Sequence, residues 1–190
     1  MPKNADKSQL RLYYRQKRNI FTGTKKAKAD SSIARKIIDL PIFQKSTTIG
    51  VYVSIPEEVD THGLLIYGFN TDKTIAVPKI LPRPIMTFFK IGSFDDLKTH
   101  PFGILEPNEG LAEVPINQIE LVVVPGIAFD RKGYRLGYGG GYTDWLFSQS
   151  SAYKIGIAYS FQVVEKLPRK TYDRPVDLVI TEKELIECIK

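Results

Sequence analysis

The chain has 190 residues, of which 43% are hydrophobic, 25% are charged and 11% are aromatic. This composition excludes a disordered tail, a collagen-like repeat and a membrane-spanning segment, and the length predicts one sizeable core. The single cysteine, Cys188, can form neither an internal disulfide nor a CxxC zinc site. No charged-then-apolar leader opens the chain, so we expect a cytoplasmic protein.

The positive charge is concentrated near the N-terminus. Residues 1–36 contain 11 Lys and Arg but only two Asp, whereas the rest of the chain contains 16 basic and 19 acidic side chains. Such a basic segment favours a polyanion, which would be nucleic acid, an anionic membrane surface or a phosphorylated small molecule. A solvated helix face explains the same charge equally well, so charge alone does not choose among these.

The hydrophobic pattern changes from helical to strand-like spacing along the chain. Apolar residues three and four apart predict two N-terminal helices, at residues 7–21 and 26–40. Short runs rich in β-branched residues then predict strands at residues 48–54, 74–77, 85–90, 121–124, 154–159 and 178–181. Shorter helices are predicted between and after the strands, at residues 62–69, 142–149, 161–166 and 182–189.

This alternation of strands and helices predicts a single α/β domain over residues 1–190. It would consist of a basic helical segment at residues 1–40 and an α/β core at residues 48–190. Because residues 122–124 are apolar at successive positions, we expect their strand to be buried on both faces, as in a parallel sheet covered by helices. Ligands of open α/β sheets bind outside the carboxyl ends of the strands, so motifs that follow a strand carry most weight.

One segment of this kind dominates the functional signal. An 11-residue loop follows the predicted strand that ends at Pro125, and four glycines then occupy positions 137, 139, 140 and 141. Glycines let a backbone approach a ligand closely, and successive amides at a helix N-terminus bind anions. Lys132 and Arg135 add positive charge, so the segment predicts a phosphate-binding loop, with a flexible glycine-rich turn as the structural alternative. The spacing matches neither GxxxxGK[ST] nor the dinucleotide fingerprint.

The segment from Val123 to Asp144 resembles the signature of the 5-formyltetrahydrofolate cyclo-ligases, also called methenyltetrahydrofolate synthetases. Shorter matches are spread over the chain, at residues 7–11, 54–61, 102–107 and 172–177. The resemblance implies that 5-formyltetrahydrofolate and ATP give 5,10-methenyltetrahydrofolate, ADP and phosphate with Mg²⁺. The implied route passes through an imidate phosphate on the formyl oxygen. It also implies the α/β fold of ribose-5-phosphate isomerases and CoA transferases, with a mostly parallel central sheet flanked by helices.

The resemblance further implies the roles of individual residues. ATP is expected to contact Lys7, Ser8, Gln9, Leu10 and Arg11, together with Arg135, Leu136, Gly137, Tyr138, Gly139, Gly140, Gly141, Tyr142 and Thr143. Arg135 is the candidate catalytic residue, because it would neutralise charge on the transferring phosphoryl group. The folate is expected to contact Val53, Glu58, Phe102, Tyr138, Gly139, Gly140, Gly141 and Tyr142. Mg²⁺ is expected at Asp144 and Asp173.

Several of these assignments have structural alternatives. Lys7 and Arg11 share a helix face that could simply be solvated, and Asp144 could favour the first turn of a helix through the helix dipole. Phe102 could belong to the core, and Lys79 is either a surface lysine or a contact for ATP or the glutamate tail of folate. The two histidines, His62 and His100, lack metal-ligand spacing and are given no role. The chain departs from the family pattern at three positions, Thr143, Tyr172 and Arg174.

Two other functions remain open from the sequence. A basic RNA-binding protein would use residues 1–36, with Tyr13, Tyr14 and Phe21 available to stack on bases. A phosphosugar-isomerase-like relative that does not use ATP would have no need of Lys7, Arg11 or Arg135. The family resemblance instead predicts a monomer that acts on 5-formyltetrahydrofolate, with or without a polyglutamate tail, and has no nucleic-acid or membrane partner.

Overall fold

The computed structural model describes residues 6–81, 85–99 and 103–188. Its helices are α1 (Lys7–Asn19), α2 (Gly23–Ile38), α3 (Pro41–Lys45), α4 (His62–Phe69) and α5 (Tyr142–Gln149). Its strands are β1 (Thr48–Val51), β2 (Thr74–Leu81), β3 (Ile85–Ile91), β4 (Leu97–Thr99), β5 (Leu105–Pro107), β6 (Glu113–Val114), β7 (Leu121–Pro125), β8 (Ala128–Asp130), β9 (Arg135–Leu136), β10 (Tyr153–Ile157), β11 (Val163–Val164), β12 (Leu178–Ile180) and β13 (Leu185–Glu187). Within the described ranges, no helix combines the length and the apolar character needed to cross a bilayer.

The central sheet has the strand order β13-β12-β10-β7-β1-β2-β3-β6. Strands β12, β10, β7, β1 and β2 run parallel to one another, while β13, β3 and β6 add antiparallel edges. The predicted α/β class and the mostly parallel central sheet are therefore confirmed. Strand β7 lies at the centre because its residues 121–124 are all buried and can face helices on both sides.

Alternate residues of β7 separate the two main hydrophobic clusters. Leu121 and Val123 pack on one face of the sheet with residues of β1, α2 and α4. Val122 and Val124 pack on the other face with Phe88 of β3 and with residues of α5. From the carboxyl end of β7 the chain passes through β8 and β9 into the glycine-rich segment.

Helix α1 packs over that segment rather than over the central sheet. Leu10 and Tyr14 form a third cluster with Ile127, Ala128 and Leu136, which belong to the region around β8 and β9. The helix begins at a capping box, in which the Asp6 side chain accepts the N–H of residues 8 and 9 and Gln9 bonds back to the Asp6 N–H. Apolar anchoring of α1 thus fixes its basic residues beside the loop.

The two predicted N-terminal helices are present, and of the four shorter predicted helices two match the structure and two do not. Residues 62–69 and 142–149 are helical, as expected. Residues 161–166 instead form the end of a 3₁₀ turn and then β11, which pairs with β8, and residues 182–189 contain β13, which pairs with β12. These two predictions are wrong because strand pairing with distant segments outweighed a short helical spacing.

Other predicted bounds also shift. The second helix spans residues 23–38, and Pro41 begins α3 rather than merely ending the preceding helix. Strand β1 ends at Val51, and β2 continues to Leu81 because it pairs along its length with β3. The 11-residue loop after Pro125 contains the antiparallel pair of β8 and β9, which was predicted as irregular.

Candidate active site

A cavity of about 540 Å³ lies beside the carboxyl ends of β1 and β7. Most of the predicted site residues line it, namely Lys7, Arg11, Val53, Glu58, Arg135, Leu136, Gly137, Tyr138, Gly139, Gly140, Gly141, Tyr142, Thr143, Asp144 and Asp173. Its remaining wall is largely apolar and comes from the central strands and the residues that follow them, including Pro78, Ile80, Met86 and Phe88. Charged groups from the two ends of the chain therefore meet at one apolar-walled cavity.

Some predicted residues lie elsewhere. Leu10 is buried in the cluster under α1, and Ser8 and Gln9 take part in the cap of that helix without lining the cavity. Lys79 does not line the cavity either, although its neighbours Pro78 and Ile80 do, because side chains alternate along a strand. Phe102 and His100 lie outside the described residues.

The glycine loop departs from a rigid hairpin rather than from a flexible connector. The fully buried Asp130 carboxylate accepts the backbone N–H groups of Lys132 and Tyr134 on one oxygen. Its other oxygen accepts the N–H of Leu167 and, at 2.9 Å, Nη2 of Arg169. A carboxylate that accepts this many hydrogen bonds fixes the turn between β8 and β9. This turn determines the position at which the glycine-rich loop begins.

The glycines themselves take backbone conformations that other residues adopt only with strain. Gly139 has φ of 107° and Gly141, the N-cap residue of α5, has φ of 76°. Arg11 of α1 donates from Nε to the carbonyl oxygen of Gly137 at 2.8 Å, so the helix holds the start of the loop directly. The loop is therefore shaped by its own backbone and anchored from α1.

Arg135 is buried at the cavity wall. Its side chain is 5% exposed, and its Nη2 lies 3.3 Å from Oδ1 of Asp144. The guanidinium also sits 5.2 Å from the centre of the Phe147 ring, and its Nε has no hydrogen-bond partner among the described residues. Burial lowers the pKa of Arg135, whereas the charges of Asp144 and Asp173 oppose that shift. Arg135 is thus a buried cation, and it is not the surface side chain that a simple connector loop would carry.

Lys7 is also paired with a carboxylate. Its Nζ lies 2.6 Å from Oδ2 of Asp173, and the same oxygen accepts the backbone N–H of Lys170 at 2.8 Å. Burial alone would raise the pKa of Asp173, but the bonds from Lys7 and Lys170 outweigh burial and lower it. Two of the three predicted ATP-binding cations, Lys7 and Arg135, are therefore each paired with one of the two predicted metal ligands.

Asp144 and Asp173 fit a magnesium site of the sparse kind. Mg²⁺ commonly takes one or two carboxylates and completes its shell with water and nucleotide phosphates. Both aspartates line the cavity, and both act electrostatically on Arg135, so both lie in its neighbourhood. The described residues contain no cluster of three or more potential metal-ligating side chains, which excludes an all-protein metal cage there.

Glu58 is buried at the edge of the cavity. Its side chain accepts the hydroxyl of Tyr138 at 2.6 Å on Oε1 and the backbone N–H of Ile55 at 3.3 Å on Oε2. The Tyr138 oxygen in turn accepts Nη2 of Arg18 at 2.8 Å. Burial raises the pKa of Glu58, while the Tyr138 bond and the Arg18 charge oppose the rise. The carboxylate is consequently held in place by two donors before any ligand arrives.

Arg18 contacts the cavity-lining Tyr138, a role that the sequence does not predict. Although it is one of the basic residues of the first helix, the structure buries it against the Tyr138 hydroxyl. One signal was available in the sequence. Leu10, Tyr14 and Arg18 are spaced four apart, so an arginine continues the apolar stripe of α1 toward the core. Lys170 and Tyr172 also line the cavity without having been assigned a contact.

His62 forms a separate polar cluster that does not build a catalytic triad. Its Nδ1 lies 2.5 Å from Oδ1 of Asp60 and 3.4 Å from Oγ of Ser54. A nucleophile–base–acid arrangement needs the serine and the carboxylate on opposite ring nitrogens, and here both face the same one. The ring also packs against Phe94, so a structural role explains it.

The aromatic residues that would serve RNA recognition make contacts within the protein. Tyr14 is buried in the cluster under α1, and Phe21 packs against Tyr159 with ring centres 4.6 Å apart. Tyr13 contacts the edge of Tyr14 and the ammonium group of Lys17. Tyr14 is therefore inaccessible to bases, and Tyr13 and Phe21 are only partly exposed.

Known proteins are similar to this chain over most of its length. The model of the 5-formyltetrahydrofolate cyclo-ligase family matches residues 3–182. The 5-formyltetrahydrofolate cyclo-ligase of Haemophilus influenzae is 29% identical over 176 residues, which are 90% of this chain and 94% of that protein.

Two solved structures are also similar. The 5,10-methenyltetrahydrofolate synthetase of Aquifex aeolicus is 35% identical with a TM-score of 0.87, covering 97% of this chain and 93% of that one. The enzyme of the same name from Mycoplasma pneumoniae is 27% identical with a TM-score of 0.76, covering 94% and 99%. The family model spans the segments that build the cavity, from α1 to the strand that follows Asp173, and the chain belongs to the 5-formyltetrahydrofolate cyclo-ligase family.

Proposed function

We propose that the chain uses ATP to cyclise 5-formyltetrahydrofolate to 5,10-methenyltetrahydrofolate, and that the cavity is its active site. The observation that carries this proposal is the meeting of two unlike sets of groups in one cavity. Paired cations and carboxylates from α1, β9 and α5 lie with a buried glutamate and an apolar wall. The first set suits a nucleotide triphosphate, and the second suits a flat heteroaromatic ring that carries N–H donors.

The nucleotide phosphates would replace the two aspartates as partners of the two cations. Lys7 and Arg135 would turn from Asp173 and Asp144 to the phosphate oxygens, and the two aspartates would then be able to hold Mg²⁺. When bound, Mg²⁺ neutralises charge on the phosphates. Arg135 suits the transferring phosphoryl group, because its planar guanidinium can donate two parallel hydrogen bonds.

The folate would use the other side of the cavity. Glu58 is an oriented acceptor for the N–H groups of a pterin edge, and it lies near the apolar wall that a ring would need. Val53 lines the same part of the cavity, immediately after β1. The glycines between Tyr138 and Tyr142 would let the loop border both ligands, since a backbone without Cβ atoms allows close approach.

The proposed reaction has two steps. The formyl oxygen attacks the γ-phosphorus, ADP leaves, and the product is an imidate phosphate in which the formyl carbon is activated. N10 of the folate then attacks that carbon, the carbon–oxygen bond breaks, and inorganic phosphate and the N10 proton depart. Such a route depends on positioning and charge neutralisation more than on a protein nucleophile.

The proposal includes a monomeric enzyme with a small-molecule substrate and no nucleic-acid or membrane partner. A single chain supplies every group described above, from Lys7 to Asp173, which supports a site complete in one copy.

The test is the absorbance of methenyltetrahydrofolate formed from 5-formyltetrahydrofolate by the purified chain. We expect product with ATP and Mg²⁺, and none when either ATP is omitted or the cation is removed with EDTA. Turnover at full rate in EDTA without nucleotide would overturn the proposal and favour an ATP-independent relative.

A further inference from the structure

Arg18 occupies an unusual position for a basic side chain of α1. It is 3% exposed, whereas Arg15, one turn away on the same helix, is exposed. Its Nη2 donates to the hydroxyl oxygen of Tyr138 at 2.8 Å, and its guanidinium lies 5.7 Å from the centre of the same ring. Its Nε is buried without a hydrogen-bond partner among the described residues. Since a buried cation is costly, this arrangement calls for a reason.

The direction of the hydrogen bonds is fixed by the chemistry of the three groups. An arginine only donates, so the Tyr138 oxygen must accept from Arg18. The phenol has one proton, and the carboxylate oxygen of Glu58 lies 2.6 Å from it. That proton therefore points to Glu58, and the contacts run in order from Arg18 through Tyr138 to Glu58. The cation and the carboxylate form an ion pair bridged by a phenol.

We propose that Arg18 is a positioning residue for the folate, acting through Tyr138 to hold Glu58 as an oriented carboxylate acceptor. Arg18 does not touch the folate in this proposal. It rests on the proposed function, in which Glu58 contacts the pterin edge.

Several ionisable groups face Glu58 from the elements around it. Arg18 comes from α1 and Tyr138 from the glycine loop, while Tyr52 follows β1. Tyr159 follows β10, and its hydroxyl oxygen lies 2.8 Å from Oδ1 of Asp30 and 3.0 Å from the Glu58 backbone oxygen. Glu57 is the adjacent acid and raises the pKa of Glu58 slightly further. The nearby Lys26 is already paired with Asp30 at 2.8 Å.

Arg18 is consequently the cation that opposes the effect of burial on Glu58. Burial raises the pKa of Tyr52 and Tyr159 above the ordinary value, so both phenols stay neutral and add no charge beside Glu58. Without Arg18, the pKa of Glu58 would rise further, and the Tyr138 oxygen would lose the donor that holds it in place. A protonated or misoriented Glu58 is a poorer acceptor for pterin N–H groups, and the loss should be greatest at low pH.

The experiment compares folate binding by Arg18→Met, Tyr138→Phe and Arg15→Met with that of the parent chain. Calorimetry would give the Kd for 5-formyltetrahydrofolate from about pH 5 to about pH 9, a range that covers a raised glutamate pKa. Arg15→Met removes the same charge from the exposed face of α1 and is the matched control. The Kd for ATP is measured alongside, with a melting curve for each variant.

We expect Arg18→Met to weaken folate binding on the order of tenfold near neutral pH and to shift the acid limb of the binding curve to higher pH. Binding should recover at the alkaline end, ATP affinity should hold, and Arg15→Met should behave as the parent. Arg18→Lys should restore part of the loss, because it returns the charge without the fork geometry. Tyr138→Phe, which removes a single hydroxyl, should shift the acid limb of folate binding in the same direction. If Arg18→Met does not fold, Tyr138→Phe serves as the test of the positioning role.

Parent-like folate binding by both Arg18→Met and Tyr138→Phe, or a loss of equal size at every pH, would overturn the positioning role. Glu58→Gln separates this failure from that of the proposed function. If Glu58→Gln binds folate as tightly as the parent, the folate contact itself is misplaced. If it binds weakly while the Arg18 and Tyr138 variants do not, only the present inference fails.

Discussion

Arg135 and Asp144 form an ion pair nine residues apart in the chain, with Nη2 3.3 Å from Oδ1 and the arginine side chain 5% exposed. The pair joins the strand before the glycine loop to the first turn of the helix after it. A loop that merely connected a strand to a helix would have no need to bury a cation at a cavity. The pairing therefore favours a phosphate clamp that is neutralised until its ligand binds.

Arg135→Ala should lower turnover by roughly a hundredfold or more, on the scale of losing one preorganised donor to the transition state. Arg135→Lys should recover only part of the rate, because lysine keeps the charge but loses the bidentate fork. Steady-state kinetics measures both, and a melting curve confirms folding. The matched control is Arg131→Ala in the same hairpin, an exposed arginine paired with Glu184, and it should turn over like the parent. Parent-like turnover of Arg135→Ala would return the loop to a purely structural role.

Glu58→Gln should weaken folate binding far more than ATP binding. The change removes a charge-assisted acceptor, which is worth about 1.5–3 kcal/mol, or roughly tenfold to a hundredfold in Kd. Glu57→Gln is the control, because the neighbouring side chain is exposed and does not line the cavity. Calorimetric titration with each ligand separates the two affinities. A fall in ATP affinity with folate affinity intact would mean that Glu58 faces the nucleotide instead.

Gly133→Ala should destabilise the fold much more than Gly110→Ala. Both glycines have a positive φ, 81° and 82°, so both substitutions carry the strain of a left-handed residue, about 1–2 kcal/mol. Only at Gly133 would the new Cβ lie 2.6 Å from the Val176 carbonyl oxygen and 2.8 Å from Sγ of Cys188, whereas nothing lies within 4 Å at Gly110. Chemical denaturation compares the free energies of unfolding. Equal losses at the two positions would contradict this packing.

Cys188 should be unreactive in the folded chain. Burial raises the pKa of its thiol to about 11, so the nucleophilic thiolate is scarce at mildly alkaline pH. A disulfide reagent should modify it slowly in buffer and rapidly, with one thiol per chain, in denaturant. Because the folded state keeps the proton longer than the unfolded state, the thiol's contribution to stability should decline as pH rises from its ordinary value toward about 11. Rapid modification of the native chain would show that the thiol is accessible.

Local sequence patterns predicted the elements whose own residues decide their structure. Helices α4 and α5 agree with the predicted bounds, and the apolar run of β7 predicted a strand buried on both faces. Segment 182–189 failed because β13 exists only through its pairing with β12, and no local pattern encodes a partner.

The candidate site likewise contains residues that local sequence predicts and residues that depend on distant partners. The glycine loop could be found from its own composition, and Asp144 follows it directly in the chain. Arg18 could not be assigned from its charge, because most arginines remain in solvent and its partner Tyr138 lies 120 residues away. The hairpin before the glycines was missed for a related reason, since the Asp130 carboxylate that fixes it draws donors from Leu167 and Arg169.

The bond between Lys7 and Asp173 joins residues 166 positions apart, and Arg11 reaches across 126 positions to Gly137. During synthesis, the helix that carries these cations therefore leaves the ribosome long before any of its partners exist. The central strands can pair before α1 finds its partners. Closing a loop of more than 100 residues costs more conformational entropy than forming contacts between nearby segments. If the proposed function holds, nucleotide binding becomes possible only after Asp173 has emerged, and a nascent fragment that ends before Asp173 would lack one wall of the candidate site.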